Sequence, residues 1–242
     1  MAKLEHAPLL EVIMELTWQS ASQAELEKFQ IAVGALCSSL KETYNTPIFL
    51  LPDANMPIMM ALGKPVYRCL HKDNPNQMFQ FGPGLLSVNF VGSNYEWSNF
   101  LAEVIKVVNA FMSVYQFNDE KQLGLNLKYV DFFPYNFAAR GDILQFLSDK
   151  FHVDIKADFL KDLKELGLRT GLITPAGIFR LVLNTAQLTK TKDIGFIIES
   201  QINNLVPVNN NEVFKDIICN AHEHLSAFFK KMTSGDLYES FK

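Results

Sequence analysis

From Val12 onward apolar and polar positions alternate: Val12, Met14, Leu16 and Trp18 fall on one side, Ile13, Glu15 and Thr17 on the other. A period of two with β-branched residues predicts a half-buried strand over 9–18, entered through Pro8. The period then lengthens. Ser22 followed by Glu25 reads as a capping box, and Leu26, Phe29, Val33, Leu36 and Leu40 recur every three or four residues. That spacing predicts a helix over 24–43 with one apolar stripe. Between Tyr44 and Pro65 neither period survives, because Pro47, Pro52, Pro57 and Pro65 exclude a continuous helix or a central strand. The stretch is nevertheless apolar, with Ile48, Phe49, Leu50, Leu51, Met56, Ile58, Met59 and Met60. Short strands are predicted at 66–70, 76–81 and 85–91, separated by turns at Lys72-Asp73-Asn74-Pro75 and Gly82-Pro83-Gly84. A long amphipathic helix over 95–117 follows, its stripe running from Trp97 through Leu101, Val104, Val108 and Phe111. Trp97 and Phe100 lie in its first turn, and Trp97 is expected to anchor it to the sheet.

The second half repeats this order. A strand over 124–133 ends before Pro134, and a short helix covers 142–151. Strands are predicted at 153–155, 169–173, 178–188 and 193–202, with a helical connector over 160–166. A last helix spans 211–232 and carries Val213, Phe214, Ile217, Ala221, Leu225, Phe228 and Phe229 on its apolar stripe. Strand, helix, strands, long helix, twice over, predicts an α+β fold: a curved, mostly antiparallel sheet with long helices on one face. Two β-α-β-β-β-α units in pseudo-twofold order give the TATA-binding-protein-like or helix-grip shape. The expectation is one domain over 1–242, with structural halves 1–118 and 119–242. The three helices over 24–43, 95–117 and 211–232 should share a face.

Composition narrows the class. With 242 residues, 48% of them hydrophobic and 20% charged, the chain can bury a substantial core. No apolar run reaches the ~18 residues that span a bilayer, and Met1–Glu11 lacks a signal-peptide core, so no membrane contact is expected. Three well-separated cysteines, Cys37, Cys69 and Cys219, exclude a disulfide framework and a Cys-x-x-Cys zinc site, which fits a reducing cytosol. The expected localisation is cytoplasmic. A net charge of −4 argues against a general phosphate-binding surface.

The opening Ala7-Pro8-Leu9-Leu10-Glu11-Val12-Ile13-Met14-Glu15 resembles the start of a sporadically distributed, uncharacterised bacterial family of about 250 residues, with an Ala-Pro-Leu-x-Glu-Val-Ile-x-Glu pattern. Gln80-Phe81-Gly82-Pro83 with Asn89 is similar to its central hairpin, and Tyr95, Trp97 and Phe100 to its aromatic helix start. The stretch Leu123 to Asp131 resembles its Arg-Tyr-Ile-Asn strand, with Lys128 in place of the Arg and Asp131 in place of the Asn. His222 with Phe229 resembles its terminal helix. The resemblance implies one evolutionary unit and no established activity.

Candidate chemistry is sparse. Glu11 and Glu15 share a strand face but stand ~13 Å apart, too far to act on one atom; solvent exposure, backbone capping or a pairing of Glu11 with Lys128 are the readings for them. His222 and His224 flank Glu223 at a spacing of two, which points helix side chains apart and disfavours a metal; a hydrogen-bonded, partly buried His222 is expected. Gly82-Pro83-Gly84 has no following helix to receive a phosphate. No nucleophile–base signature appears, so no cofactor is expected and enzymatic activity has no positive support. Tyr67-Arg68, Lys128-Tyr129 and Phe179-Arg180 place cations beside rings, so Arg68, Lys128, Arg180 and Tyr129 are the candidate ligand-binding residues on one sheet face. Met56, Met59 and Met60 are the candidate interface, for a homodimer or another protein, because thioethers adapt to a partner's shape. The expected function is non-enzymatic binding or protein interaction. The alternative is nucleic-acid or nucleotide binding on the basic and aromatic sheet face, disfavoured by net charge.

Overall fold

The alternation beginning near Val12 becomes strand β1 (Leu9–Thr17), and β1 lies at the centre of a nine-stranded sheet. The structure is a computed structural model that describes residues 4–53, 56–92, 94–117, 122–136, 142–156, 163, 165–208 and 210–242. The other strands are β2 (Ile48–Phe49), β3 (Tyr67–Leu70), β4 (Gln77–Gly82), β5 (Leu85–Val91), β6 (Gln122–Pro134), β7 (Gly167–Thr174), β8 (Gly177–Gln187) and β9 (Ile194–Pro207). They run in the order β2-β3-β4-β5-β1-β6-β9-β8-β7, every neighbour antiparallel, in an open, curved sheet. Read inward from the edges, β3-β4-β5-β1 and β7-β8-β9-β6 follow the same plan. The halves meet where β1 pairs with β6, with Ile13 opposite Lys128.

Helices α1 (Gln23–Ser39) and α3 (Ile143–Phe151) follow the first strand of each half, and α2 (Trp97–Val114) and α4 (Asn211–Met232) follow the last. A short α5 (Asp236–Glu239) ends the chain. The Ser22 hydroxyl accepts from the Glu25 N–H at 3.2 Å, capping α1, and the Asp142 carboxylate accepts from Leu144 N at 2.8 Å, capping α3. No strand forms at 153–155. His152 takes a left-handed conformation (φ 55°) that stops α3, and the Val153 N–H turns back to the Leu147 carbonyl instead of joining a ladder. Most of the connector expected over 160–166 lies outside the described residues.

The long helices cover one face of the sheet. Val12, Met14 and Leu16 of β1, Leu123, Leu125 and Leu127 of β6, and Phe196, Ile198 and Ile202 of β9 meet Phe29, Leu36, Phe100, Phe111 and Ile218 in one contiguous core spanning both halves. Trp18 sits at the centre of the aromatic part, its indole N–H donating to the Tyr115 hydroxyl at 3.1 Å. Among the described residues no helix covers the opposite face, and polar side chains tie its strands together. Glu11 accepts from the Asn89 amide and Glu15 from the Asn126 amide, each at 2.8 Å, so both carboxylates are strand-to-strand acceptors. No described helix is long and apolar enough to cross a membrane. Cys37 on α1 and Cys69 on β3 bring their sulfurs to 3.7 Å as free thiols, a proximity their sequence separation hides.

The proline-rich stretch divides its apolar residues. Leu51, Ile58 and Ala61 pack against the core, while Met59 and Met60, on a 3-10 turn over Ile58–Ala61, are 56% and 65% exposed. This stretch crosses so close to the β4–β5 turn that a Cβ at Gly82 would collide with the Lys64 carbonyl oxygen. Met59→Asp combined with Met60→Asp therefore removes no core contact. The double variant should unfold within ~0.5 kcal/mol of the parent. A drop of several kcal/mol in chemical denaturation would show that the two thioethers are covered in solution.

Candidate functional site

The phase of β6 sets the site. Leu127 and Phe133 point into the core, so Tyr129 and Asp131, two and four positions after Leu127, face the same helix-covered side. Ser200 is the β9 partner of Tyr129, and Leu9 of β1 is the partner of Asp131. These four residues line a cavity of about 540 Å³ together with Tyr95 and Trp97 at the start of α2 and His222, Leu225, Ser226 and Phe229 of α4. The α4 residues recur at three and four, which places them on one helical stripe. Leu4, Ala7 and Pro8 line it on the N-terminal side, and Glu96 and Ser98 beside Trp97 complete the lining.

Three polar groups are locked to one another. The hydroxyls of Tyr95 and Tyr129 lie 2.7 Å apart, and the Tyr129 hydroxyl lies 2.8 Å from His222 Nδ1. The His222 ring stacks on the Trp97 indole, with centroids 3.9 Å apart and planes within 6°. Burial lowers the His222 pKa to about 4, so the imidazole is neutral at pH 7. Burial likewise pushes the Tyr95 and Tyr129 phenols well above their ordinary range, which keeps both hydroxyls protonated.

Asp131 differs from all of these. It is 5% exposed, and its side chain has no hydrogen-bond or ion-pair partner among the described residues. With burial as the only cause, its carboxyl is pushed up to about 7. Buried carboxylates are normally paired or hydrogen-bonded. This one faces a cavity instead.

The residues singled out in the sequence divide between the two faces. Tyr129 lines the cavity, whereas Arg68, Lys128 and Arg180 lie on the uncovered face, in register positions that alternate with the buried ones. The sheet therefore separates these cations from the rings of Tyr67, Tyr129 and Phe179, because neighbours in a strand point to opposite sides. Lys128 lies 4.0 Å from Glu199, and Glu11 and Glu15 occupy the same face. Buried on that face without a hydrogen-bond partner among the described residues are Arg68 Nε, Asn126 Oδ1 and Asn203 Nδ2. Met56, Met59 and Met60 take no part in the cavity lining. His222 is half-buried and hydrogen-bonded, while His224 bonds the Asn220 carbonyl at 3.1 Å. Among the described residues no three His, Cys, Asp or Glu side chains gather as a metal site.

Trp97 does not anchor α2. It is only partly buried and lines the cavity, and the anchor is Phe100, fully buried against Phe90 at a centroid distance of 5.2 Å. The cavity itself has no local sequence signal, since its lining comes from five separate stretches. Ala7, Pro8, Leu9, Tyr95, Trp97, Tyr129, Asp131, His222 and Phe229, far apart in the chain, converge here. Comparison of the chain with protein-family models, with curated proteins and with solved structures gives no match.

Proposed function

We propose that this protein is a non-enzymatic binder of a small organic molecule, held in the cavity between β6, β9, α2 and α4. The observation that carries this reading is Asp131, a carboxylate with no partner among the described residues, aimed into a cavity walled by aromatic side chains. A volume of about 540 Å³ suits a small organic ligand, and few polar groups in an apolar, aromatic lining is the usual make-up of such a site. Recognition rather than catalysis is favoured because Tyr95, Tyr129 and His222 are spent on one another. The uncovered sheet face supports nucleic-acid binding less well, since Glu11, Glu15 and Glu199 lie among its cations.

Trp97 provides the test. The protein has two tryptophans, Trp18 in the core and Trp97 on the cavity wall, so two indole N–H resonances separate the regions, assigned with Trp97→Phe. Small aromatic fragments such as benzamide and benzamidine should shift the Trp97 signal in a saturable way and leave the Trp18 signal in place. Saturating shifts at Trp18 alone, or none at Trp97 with any fragment, would count against the cavity as the binding site.

A further inference from the structure

We propose that the ligand of this cavity is a small organic cation, an amine, amidine or guanidine on an apolar body, whose N–H groups pair with Asp131. The inference rests on the cavity being a ligand site and adds the chemical class. Its first support is charge. Two carboxylates, those of Asp131 and Glu96, line the cavity, and its described lining contains no lysine or arginine. An anionic ligand would meet the Asp131 and Glu96 carboxylates there, with Lys230 acting on His222 as the nearest described positive charge, whereas a cation would supply a partner for Asp131, which has none among the described residues.

The walls add a second, independent support. Tyr95, Trp97, Tyr129 and Phe229 contribute ring surface, and ring faces attract organic cations through their quadrupoles. The hydroxyls of Tyr95 and Tyr129 are already hydrogen-bonded to each other and to His222, so they compete little for the ligand's donors. Leu9 and Leu225 offer apolar contact to the rest of the molecule. A buried carboxylate in an aromatic cavity lining discriminates by charge first and by shape second.

Pairs of compounds that differ only in the cationic group decide the matter: phenethylamine against 2-phenylethanol, and benzamidine against benzamide. Titrated into the full chain at pH 7.5 and read at the Trp97 indole N–H, the cations should bind about 10- to 100-fold more tightly than their neutral isosteres. Asp131→Asn should abolish that preference and keep the Trp18 resonance in its folded position. Equal affinity within each pair, with Trp97 still responding, would overturn the cation assignment and leave the cavity reading standing. Silence of Trp97 towards all four compounds would overturn both. A preference for cations that survives in Asp131→Asn would move the recognition to another group and defeat the role given to Asp131.

Discussion

Asp131→Asn should make the protein more stable at pH 8, and the gain should disappear as the pH falls. The carboxyl stands at about 7 in the folded protein against 3.8 for the ordinary group, so the folded state holds its proton more tightly than the unfolded state does. The sign follows from linkage. A raised carboxyl contributes its full stability below pH ~4, and loses it as pH rises through ~7. The ionised form at pH 8 therefore costs about 4 kcal/mol relative to a neutral side chain. An asparagine removes that charge, although its unpaired amide gives back about 1–3 kcal/mol. Each net kcal/mol should raise the melting temperature by about 2–4 °C. His222 has the opposite slope, since a neutral buried imidazole loses stability as pH falls from 6.5 towards 4, but it is present in both proteins and cancels in their difference. Denaturant melts of parent and variant at pH 4, 6 and 8 check the claim, and a difference that does not grow with pH would refute it. A residue that weakens the fold and faces a cavity is the pattern expected where function opposes stability.

Phe100→Ala should cost about 3–5 kcal/mol, the loss from emptying a fully buried aromatic site. Trp97→Ala, three residues earlier on the same helix, should cost only about 1–2 kcal/mol, because the indole is partly exposed and loses mainly its stack on His222. The pair of variants separates anchor from cavity wall. Phe100→Ala should lower the denaturation midpoint sharply. Trp97→Ala should instead free the His222 ring, raising its pKa from about 4 towards 6.5 in an NMR titration, since removing the indole admits water. Equal destabilisation by both substitutions would return the anchoring role to Trp97.

The contrast between those two residues marks where sequence reasoning stops. Both lie in the first turn of α2, and their helical stripe says only that the helix buries one side. Which ring is swallowed depends on what the sheet places beneath it: Phe90 lies against Phe100, while Trp97 overhangs the space between α2 and α4.

Local rules otherwise went far in this chain. The period-two run over 9–18, the capping box at Ser22 and Glu25, the Gly82-Pro83-Gly84 turn and the stripe over 211–232 each depend on neighbours a few residues away, so each could be read directly. From the repeated order of elements came the α+β class, the antiparallel sheet and the helices on one face. Strand phase was legible as well, which is why Arg68, Lys128 and Arg180 do share a face.

The partners of those elements were decided by tertiary structure. A strand pattern states that alternate residues are buried, but not whether its buried side meets a packed helix or a gap between two helices. Tyr129 stands beside Lys128 in the sequence, yet adjacency in a strand means opposite faces, and the fold turns it towards His222, 93 positions away. Asp131 left no signal of its own. A lone carboxylate near the end of a strand reads as a solvated charge until β1, β9 and α4 close around it and remove the water. The perturbed group therefore arises from long-range burial, which no local pattern encodes, while the elements that bury it were written in the periodicity of the chain.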